Sequence, residues 1–435
     1  MKVARDKECK ILNETNVHWA DKIPYGWQVL RIQDFATVND DLIKERKFRN
    51  QQIKYVDISG VNAYENTYLY EIQRFDDAPS RARRLVKSGD TVFSTVRPYL
   101  KAIATVVNPE KSLIFSTGFA VIRPGEGTDY RFIGYLLRDE MFVNRVAANS
   151  VGASYPAINA SDLIKLHVLI PPLPEQRAIA NFLDEKCARI DEAVRIKERQ
   201  IELLRERRQI LIQKAVTRGL NPDAPMKDSG VDWIGQIPAH WEIRRGKWLF
   251  NKMNRPVRKI DEIVTCFRDG IVTLRANRRV EGFTNAIKEH GYQGVRVGDL
   301  VIHAMDAFAG AIGVSDSNGK STPVYSVCVP RYKNLVLAQY YSLYLRQIAL
   351  SGFLVAIAKG IRQRSTDFRF NDFANLELAL PPLKEQKSIV LFVEEQFSKI
   401  EAVITTKQSQ VTALKEYKTV LINAAVTGKI RVTEE

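Results

Sequence analysis

What this sequence lacks narrows its function before anything it contains. Its 435 residues hold no G-x-x-x-x-G-K-[ST] phosphate loop, no G-x-G-x-x-G opening a helix and no G-x-S-x-G elbow. That removes the recognisable seats of nucleotide hydrolysis, dinucleotide chemistry and serine-hydrolase chemistry. An Asn-Pro-Pro-aromatic motif, the mark of adenine methyltransferases, is also missing. The four cysteines, Cys9, Cys187, Cys266 and Cys328, are isolated, with no C-x-x-C pair and no nearby histidine partner. Their isolation argues against structural zinc and for a reducing, cytoplasmic setting. The five histidines are scattered without metal-ligand spacing, and no acidic pair stands out from helix-surface charge. No apolar run nears the roughly 20 residues that span a bilayer, and MKVARDKECK has no signal-peptide core, so no membrane role is expected. The sequence reads as a binder, with no catalytic residue, metal or cofactor of its own. An unrecognised active site stays open as the alternative.

What is present is positive charge and repetition. The formal charge is +15, on a composition of 45% hydrophobic and 26% charged residues that suits an ordinary folded protein of two or three domains. A basic balance points to a polyanionic partner, nucleic acid by default. The stretch from Glu175 to Thr217 then occurs twice, returning from Glu385 at a constant offset of 210 residues. PPLPEQRAIANFLDEK answers PPLKEQKSIVLFVEEQ, and LIQKAVT answers LINAAVT. Such self-similarity dictates architecture.

Each copy reads as a long helix. Apolar side chains recur every three or four residues at Leu183, Cys187, Ile190, Val194, Ile201, Leu204, Leu211 and Ala215, matched by Val393, Phe397, Ile400, Ile404, Val411, Leu414, Leu421 and Ala425. A period of 3.5 with charge between is the coiled-coil signature. Lys197/Lys407 and Arg208/Lys418 interrupt both seams at the same two positions, and polar seam residues restrict the pairings a coil tolerates. The Glu-Gln pair in each first turn is expected to suit the helix dipole. About 43 residues at about 1.5 Å each predict a rod of roughly 65 Å. Matched in length and register, the two helices are expected to pack on each other.

The repeat extends further. VHWADKIPYGW carries Trp19 and Trp27, and VDWIGQIPAHW carries Trp233 and Trp241; these side chains are expected to anchor the connectors structurally. Two globular segments follow, about residues 28–169 and 242–379. Each has a Gly-Asp turn (Gly89, Gly298), β-rich runs, a helix-like stretch, a loop and a closing apolar strand. Strands followed by helices predict an α+β fold with an internal pseudo-twofold repeat. The expected organisation is a first globular domain over 1–170, a helix over 171–218, a connector over 219–236, a second globular domain over 237–380, a helix over 381–428 and a tail over 429–435. The rods match while the middles of the globular segments differ, which puts variation where a binding surface would lie.

The basic and aromatic loops are the candidate binding residues. In the first domain Arg97, Tyr99 and Lys101 follow the Gly-Asp strand in RPYLK, a Pro-fixed loop able to present phosphate contacts and base-edge donors, or simply a solvated loop. Ser154 and Tyr155, with Arg81, Arg83, Arg84 and Lys87, are weaker candidates. In the second, Lys359-Gly360-Ile361-Arg362-Gln363-Arg364 combines close backbone approach with side chains suited to guanine and adenine edges. The run Arg244–Lys259, which includes Arg258, carries seven basic residues and no acid, as phosphate neutralisation requires. His303, with Met305 and Phe308, occupies the place of Arg97, although a core role fits it equally.

These features resemble the specificity subunits of type I restriction–modification systems. The resemblance rests on the duplicated P-P-L-x-E-Q starts, A-V-T ends, I-P-x-x-W elements and the tandem order of variable domain and helix, and it spans essentially the whole chain. RPYLK, SYPAINASDL and GIRQRS look like the DNA-facing loops of such subunits. The resemblance implies two target recognition domains, each reading half of a split double-stranded DNA sequence, with the helices antiparallel as a spacer. It also implies two modification subunits that methylate adenine using S-adenosylmethionine. Two ATP- and Mg-dependent restriction subunits would complete the complex. A competing reading is a coiled-coil adaptor that binds nucleic acid without sequence preference.

Overall fold

A computed structural model of the chain describes residues 3–4, 13–14, 22–43, 45–278, 290–357 and 367–432. Two compact units form, one of residues 1–198 with 408–435 and one of 199–407. Each unit therefore contains one globular segment and one half of each long helix. Trp19 lies outside the described residues.

The two globular segments repeat one design. In the first unit a four-stranded antiparallel sheet runs Ile103–Thr105, Thr91–Ser94, Phe119–Pro124, Ala36–Val38. In the second, Ile312–Val314, Leu300–His303, Tyr325–Pro330 and Phe250–Lys252 follow in the same order. Alternate side chains enter different cores. Phe93, Ile103 and Ile122 join the helices on one face, while Val92, Ala104 and Val121 join a second cluster on the other. Burial on both faces explains the continuous apolar runs of the sequence. The second unit splits likewise, Leu300 and Ile302 against Val301 and Val327.

The helix-like stretch of the first domain is two helices, Tyr130–Arg138 and Glu140–Ala148. Asp139 divides them, because its carboxylate accepts from the Phe142 N–H at 2.9 Å and caps a new helix. The second domain breaks similarly, into Ala338–Leu350 and Phe353–Ile357, at Gly352 with φ +85°. Closing strands His167–Ile170 and Glu377–Leu380 pair with Gln28–Arg31 and Glu242–Arg245. Each leads through Pro-Pro into a long helix.

The first long helix is Leu173–Arg218 and the second Leu383–Val426, of 46 and 44 residues; at about 1.5 Å per residue they measure about 69 and 66 Å. They pack antiparallel, and each unit holds its own part of the seam. In the first unit Leu183, Cys187, Ile190 and Val194 share a core with Val411, Leu414, Leu421 and Ala425. In the second, Ile201, Leu204 and Leu211 meet Ile400 and Ile404, and Val393 packs in the core that holds Ala215.

The interrupting basic residues form matched pairs. Lys197 donates to Gln410 at 2.7 Å in the first unit, and Lys407 to Gln200 at 2.6 Å in the second. Lys418 donates to both Asp191 oxygens at 2.8 Å, and Arg208 pairs with Glu401 at 3.1 Å. Under the 210-residue repeat each pair is the image of the other.

The Glu-Gln motif places Glu175 and Glu385 in the first turns, as expected, and its glutamines do more. Gln176 and Gln386 are fully buried. The Gln176 carbonyl accepts from the Asp129 N–H at 2.9 Å while its amide donates to Pro171 O at 2.8 Å. Gln386 accepts from the Leu337 N–H and donates to Leu335 O and Pro381 O, all at 2.8 Å. Asp129 and Leu337 are the residues just before the helices Tyr130–Arg138 and Ala338–Leu350. Each glutamine thus clamps a long helix to its globular domain. Glu385 meanwhile accepts from Trp241 Nε1 at 2.9 Å and contacts His240 Nε2 at 2.5 Å.

Trp27 and Trp241 are buried and Trp233 stacks on Phe353 at 4.7 Å, so the tryptophans anchor the connectors. Where the second long helix ends, Gly428 takes φ +72°, and a Cβ there would lie 2.4 Å from the Pro24 ring. Only glycine fits that approach.

Candidate nucleic-acid interface

Each Gly-Asp turn fixes the sheet that carries the loops. Asp90 is buried, accepts from the Lys87 N–H at 2.7 Å and holds Arg123 bidentately at 2.8 and 2.7 Å. Asp299 likewise accepts from the Arg296 N–H at 2.7 Å and holds Arg255 at 2.5 and 3.0 Å. Planar two-point pairing of this kind sets orientation as well as energy. Arg255 is therefore structural, and Arg244 pairs with Glu242 at 2.8 Å. The basic run 244–259 is not the uninterrupted phosphate-binding tract its sequence suggests.

In the first unit the strand Thr91–Ser94 feeds two loops that meet. The Arg97 N–H donates to Pro156 O at 2.7 Å, and Val96 bridges Ala157. Pro98–Leu100 makes a single 3-10 turn, flanked by Arg97 and Lys101 in the left-handed region, at φ +50° and +54°. Non-glycine residues held there cost of order 1–3 kcal/mol each, and such strain collects at functional sites. The turn thrusts Tyr99 and Leu100 outward, 48% and 58% exposed. The second loop closes on itself, Val151 and Ala157 exchanging backbone hydrogen bonds at 2.9 and 3.0 Å. It leaves Ser154 exposed and Tyr155 two-thirds exposed.

The Arg97 guanidinium lies 4.0 Å over the Tyr155 ring. Lys101 has its charge matched by Glu140 at 3.0 Å. Structure thus brings Arg97 and Tyr155 into contact, with Tyr99, Lys101 and Ser154 on the same two loops.

The weaker candidates upstream serve the fold. Arg81 donates to the Tyr55 hydroxyl and to Asp57, both at 3.0 Å, and Lys87 pairs with Asp41 at 2.8 Å. Arg83 lies over Phe75, and burial pushes the Arg84 guanidinium below its ordinary value.

In the second unit His303 ends the strand Leu300–His303 and is mostly buried. Its Nδ1 accepts from the Asp306 N–H at 3.0 Å, its ring meets Tyr325 edge-on at 4.6 Å, and burial lowers its pKa. A neutral, satisfied imidazole is a poor phosphate ligand; Met305 beside it is half exposed. Arg258 is exposed, its backbone N–H held by Asp261 at 2.8 Å. Lys359, Arg362, Gln363 and Arg364 lie outside the described residues.

Among the described residues no group of three or more His, Cys, Asp or Glu could hold a metal ion, and no helix is long and apolar enough to cross a membrane.

Comparison with known proteins concerns the chain as a whole. Residues 24–203 match the family model of the type I restriction modification DNA specificity domain. The type I restriction enzyme MjaIX specificity subunit of Methanocaldococcus jannaschii is 22% identical over 95% of this chain and 95% of its own. The chain is similar to type I specificity subunits.

A second similar protein, the EcoKI specificity subunit of Escherichia coli, is 23% identical over 87% of this chain and 84% of its own length. Among solved structures, a chain from work on assembly and conformational transition of the type I R-M system aligns at a TM-score of 0.70. That alignment has 22% identity and covers 94% of this chain and 99% of the other. The HsdS subunit of Thermoanaerobacter tengcongensis aligns at 0.53 with 23% identity, over 94% and 98%. Both likenesses concern the fold.

The residues that sequence reasoning missed are those fixing loops and helices in place: Asp90, Asp299, Gln176 and Gln386. A signal existed for each. The Asp follows both Gly-Asp glycines and the Gln recurs in both P-P-L-x-E-Q starts, so repetition marked them, but not their partners.

Proposed function

We propose that this chain supplies DNA sequence specificity to a type I restriction–modification complex and performs no catalysis itself. Each globular domain reads one half of a bipartite double-stranded target, and the long helices act as the spacer between the halves. Adenine methylation and cleavage belong to partner subunits, two of modification and two of restriction, which bind S-adenosylmethionine, ATP and Mg in the cytoplasm. The observation that carries this reading is the pair of converging loops in the first unit. There a strained backbone exposes Tyr99 and Leu100, and Tyr155 backs a guanidinium. Such a surface suits a groove floor, where base edges and methyl groups are read, better than a bare phosphate backbone.

The test is single-molecule sequencing of adenine methylation in cells that carry the cognate methyltransferase, with and without this chain. A split motif methylated only when the chain is present supports the reading. Identical methylation in both, with both proteins expressed and associated, sinks it and leaves a non-specific adaptor.

A further inference from the structure

Arg97 differs from the basic side chains around it. Arg81, Lys87, Lys101 and Arg123 each face a carboxylate. Among the described residues no carboxylate pairs with Arg97; its guanidinium rests on the Tyr155 ring, and its Nε is buried without a hydrogen-bond partner. With Nε turned into the protein, the two terminal nitrogens form the outward end of the fork.

The backbone makes the same point. Arg97 occupies φ +50°, a conformation that favours glycine, and its N–H is held by Pro156 O while Pro98 fixes the next residue. Retaining a long side chain at a strained position points to a use for that side chain. Stacking on an aromatic face also removes much of the rotational freedom an exposed arginine would lose on binding. A phosphate contact needs charge but little planar alignment; a base edge needs both.

Resting on the DNA-reading function above, we propose that Arg97 reads a guanine in one half-site. Its terminal nitrogens donate to O6 and N7 in the major groove, and Tyr155 is the positioning residue that holds the guanidinium plane. A planar fork with two parallel donors matches that pair of acceptors, which a lysine cannot reproduce.

The experiment maps methylated adenines for the full complex carrying wild-type chain, R97K, Y155A or Y155F, with thermal unfolding of each chain as a check on folding. R97K keeps the charge and is expected to relax one guanine position of one half-site. Discrimination there falls about tenfold or more, and the other half-site is unchanged. Y155A is expected to relax the same position, and Y155F to restore what Y155A loses, since the ring alone provides the stack.

Uniform weakening by R97K on all sites with an unaltered motif makes Arg97 a phosphate contact and overturns the assignment. Equal behaviour of Y155A and Y155F overturns the positioning role. If the wild-type chain directs no motif at all, the parent reading fails and this inference with it; an intact wild-type motif indifferent to R97K refutes this inference alone.

Discussion

Replacing Lys418 by Met tests how the first unit is tied together. Its side chain is 6% exposed, and the ammonium donates at 2.8 Å to both oxygens of Asp191 and to the Tyr64 carbonyl. It therefore joins the second long helix to the first and to a loop of the globular domain. Methionine keeps most of the stem and its packing, so the loss is mainly electrostatic. Hydrogen bonds to a charged group contribute about 1.5–3 kcal/mol each, and breaking a fully buried ion pair costs about 3–5 kcal/mol. Asp191 is 42% exposed and can rehydrate, which places K418M at about 2 kcal/mol, below the fully buried range. Amide hydrogen exchange by mass spectrometry reads this locally. Protection over residues 183–198 and 408–421 should drop about 30-fold, while the segments around Arg208 and Glu401 keep theirs. Combining K418M with D191N should add little beyond K418M, because both remove one interaction. Unchanged protection in K418M, or full additivity in the double variant, would refute the argument.

Two further outcomes follow from buried polar groups. Gln386→Leu leaves Leu337 N–H, Leu335 O and Pro381 O without the side chain that satisfies them. It should lower stability by about 3 kcal/mol in denaturant unfolding followed by tryptophan fluorescence, and a loss under about 1 kcal/mol would contradict the clamp. His303 has its pKa depressed by burial below the ordinary 6.5, so below that pH the unfolded chain binds a proton that the folded one refuses. Stability then falls as pH drops through 6.5, and H303N should show a smaller decrease in melting temperature between about pH 7.5 and 5.5.

The parts of this fold legible in the sequence are those written in local periodicity or written twice. The seam from Leu183 to Ala425 could be placed because a 3.5-residue period needs no knowledge of distant contacts, and duplication fixed its register. The loops around Arg97 and Tyr155 were recognisable as basic and aromatic. Their meeting was not, because it depends on a backbone bond from Arg97 to Pro156, 59 residues further along the chain. The same reason hid the role of Arg255. A basic residue in a basic run looks like a phosphate ligand until its partner Asp299, 44 residues away, is known. Charge type is local information, whereas charge pairing is tertiary. Asp139 shows another limit: it sits inside a stretch that reads as one helix because hydrophobic periodicity runs straight through it, and the break appears only in its bond to the Phe142 N–H.

The matched seam pairs amount to a palindrome. Each long helix carries a lysine with a glutamine three residues on, Lys197 with Gln200 and Lys407 with Gln410. Each also carries an acid followed 17 residues later by a base, Asp191 with Arg208 and Glu401 with Lys418. Read in opposite directions, each of these four donors finds its acceptor on the other helix, so either helix alone spells both kinds of pair. Neither unit is self-sufficient in its own stretch of sequence. The cation that locks the first unit, Lys418, is contributed by the helix that follows the second domain, and the cation of the second unit, Arg208, by the helix that follows the first. Exchanging a globular segment between its flanking Pro-Pro and Trp elements leaves that grammar intact; exchanging a helix with it rewrites one word in each unit.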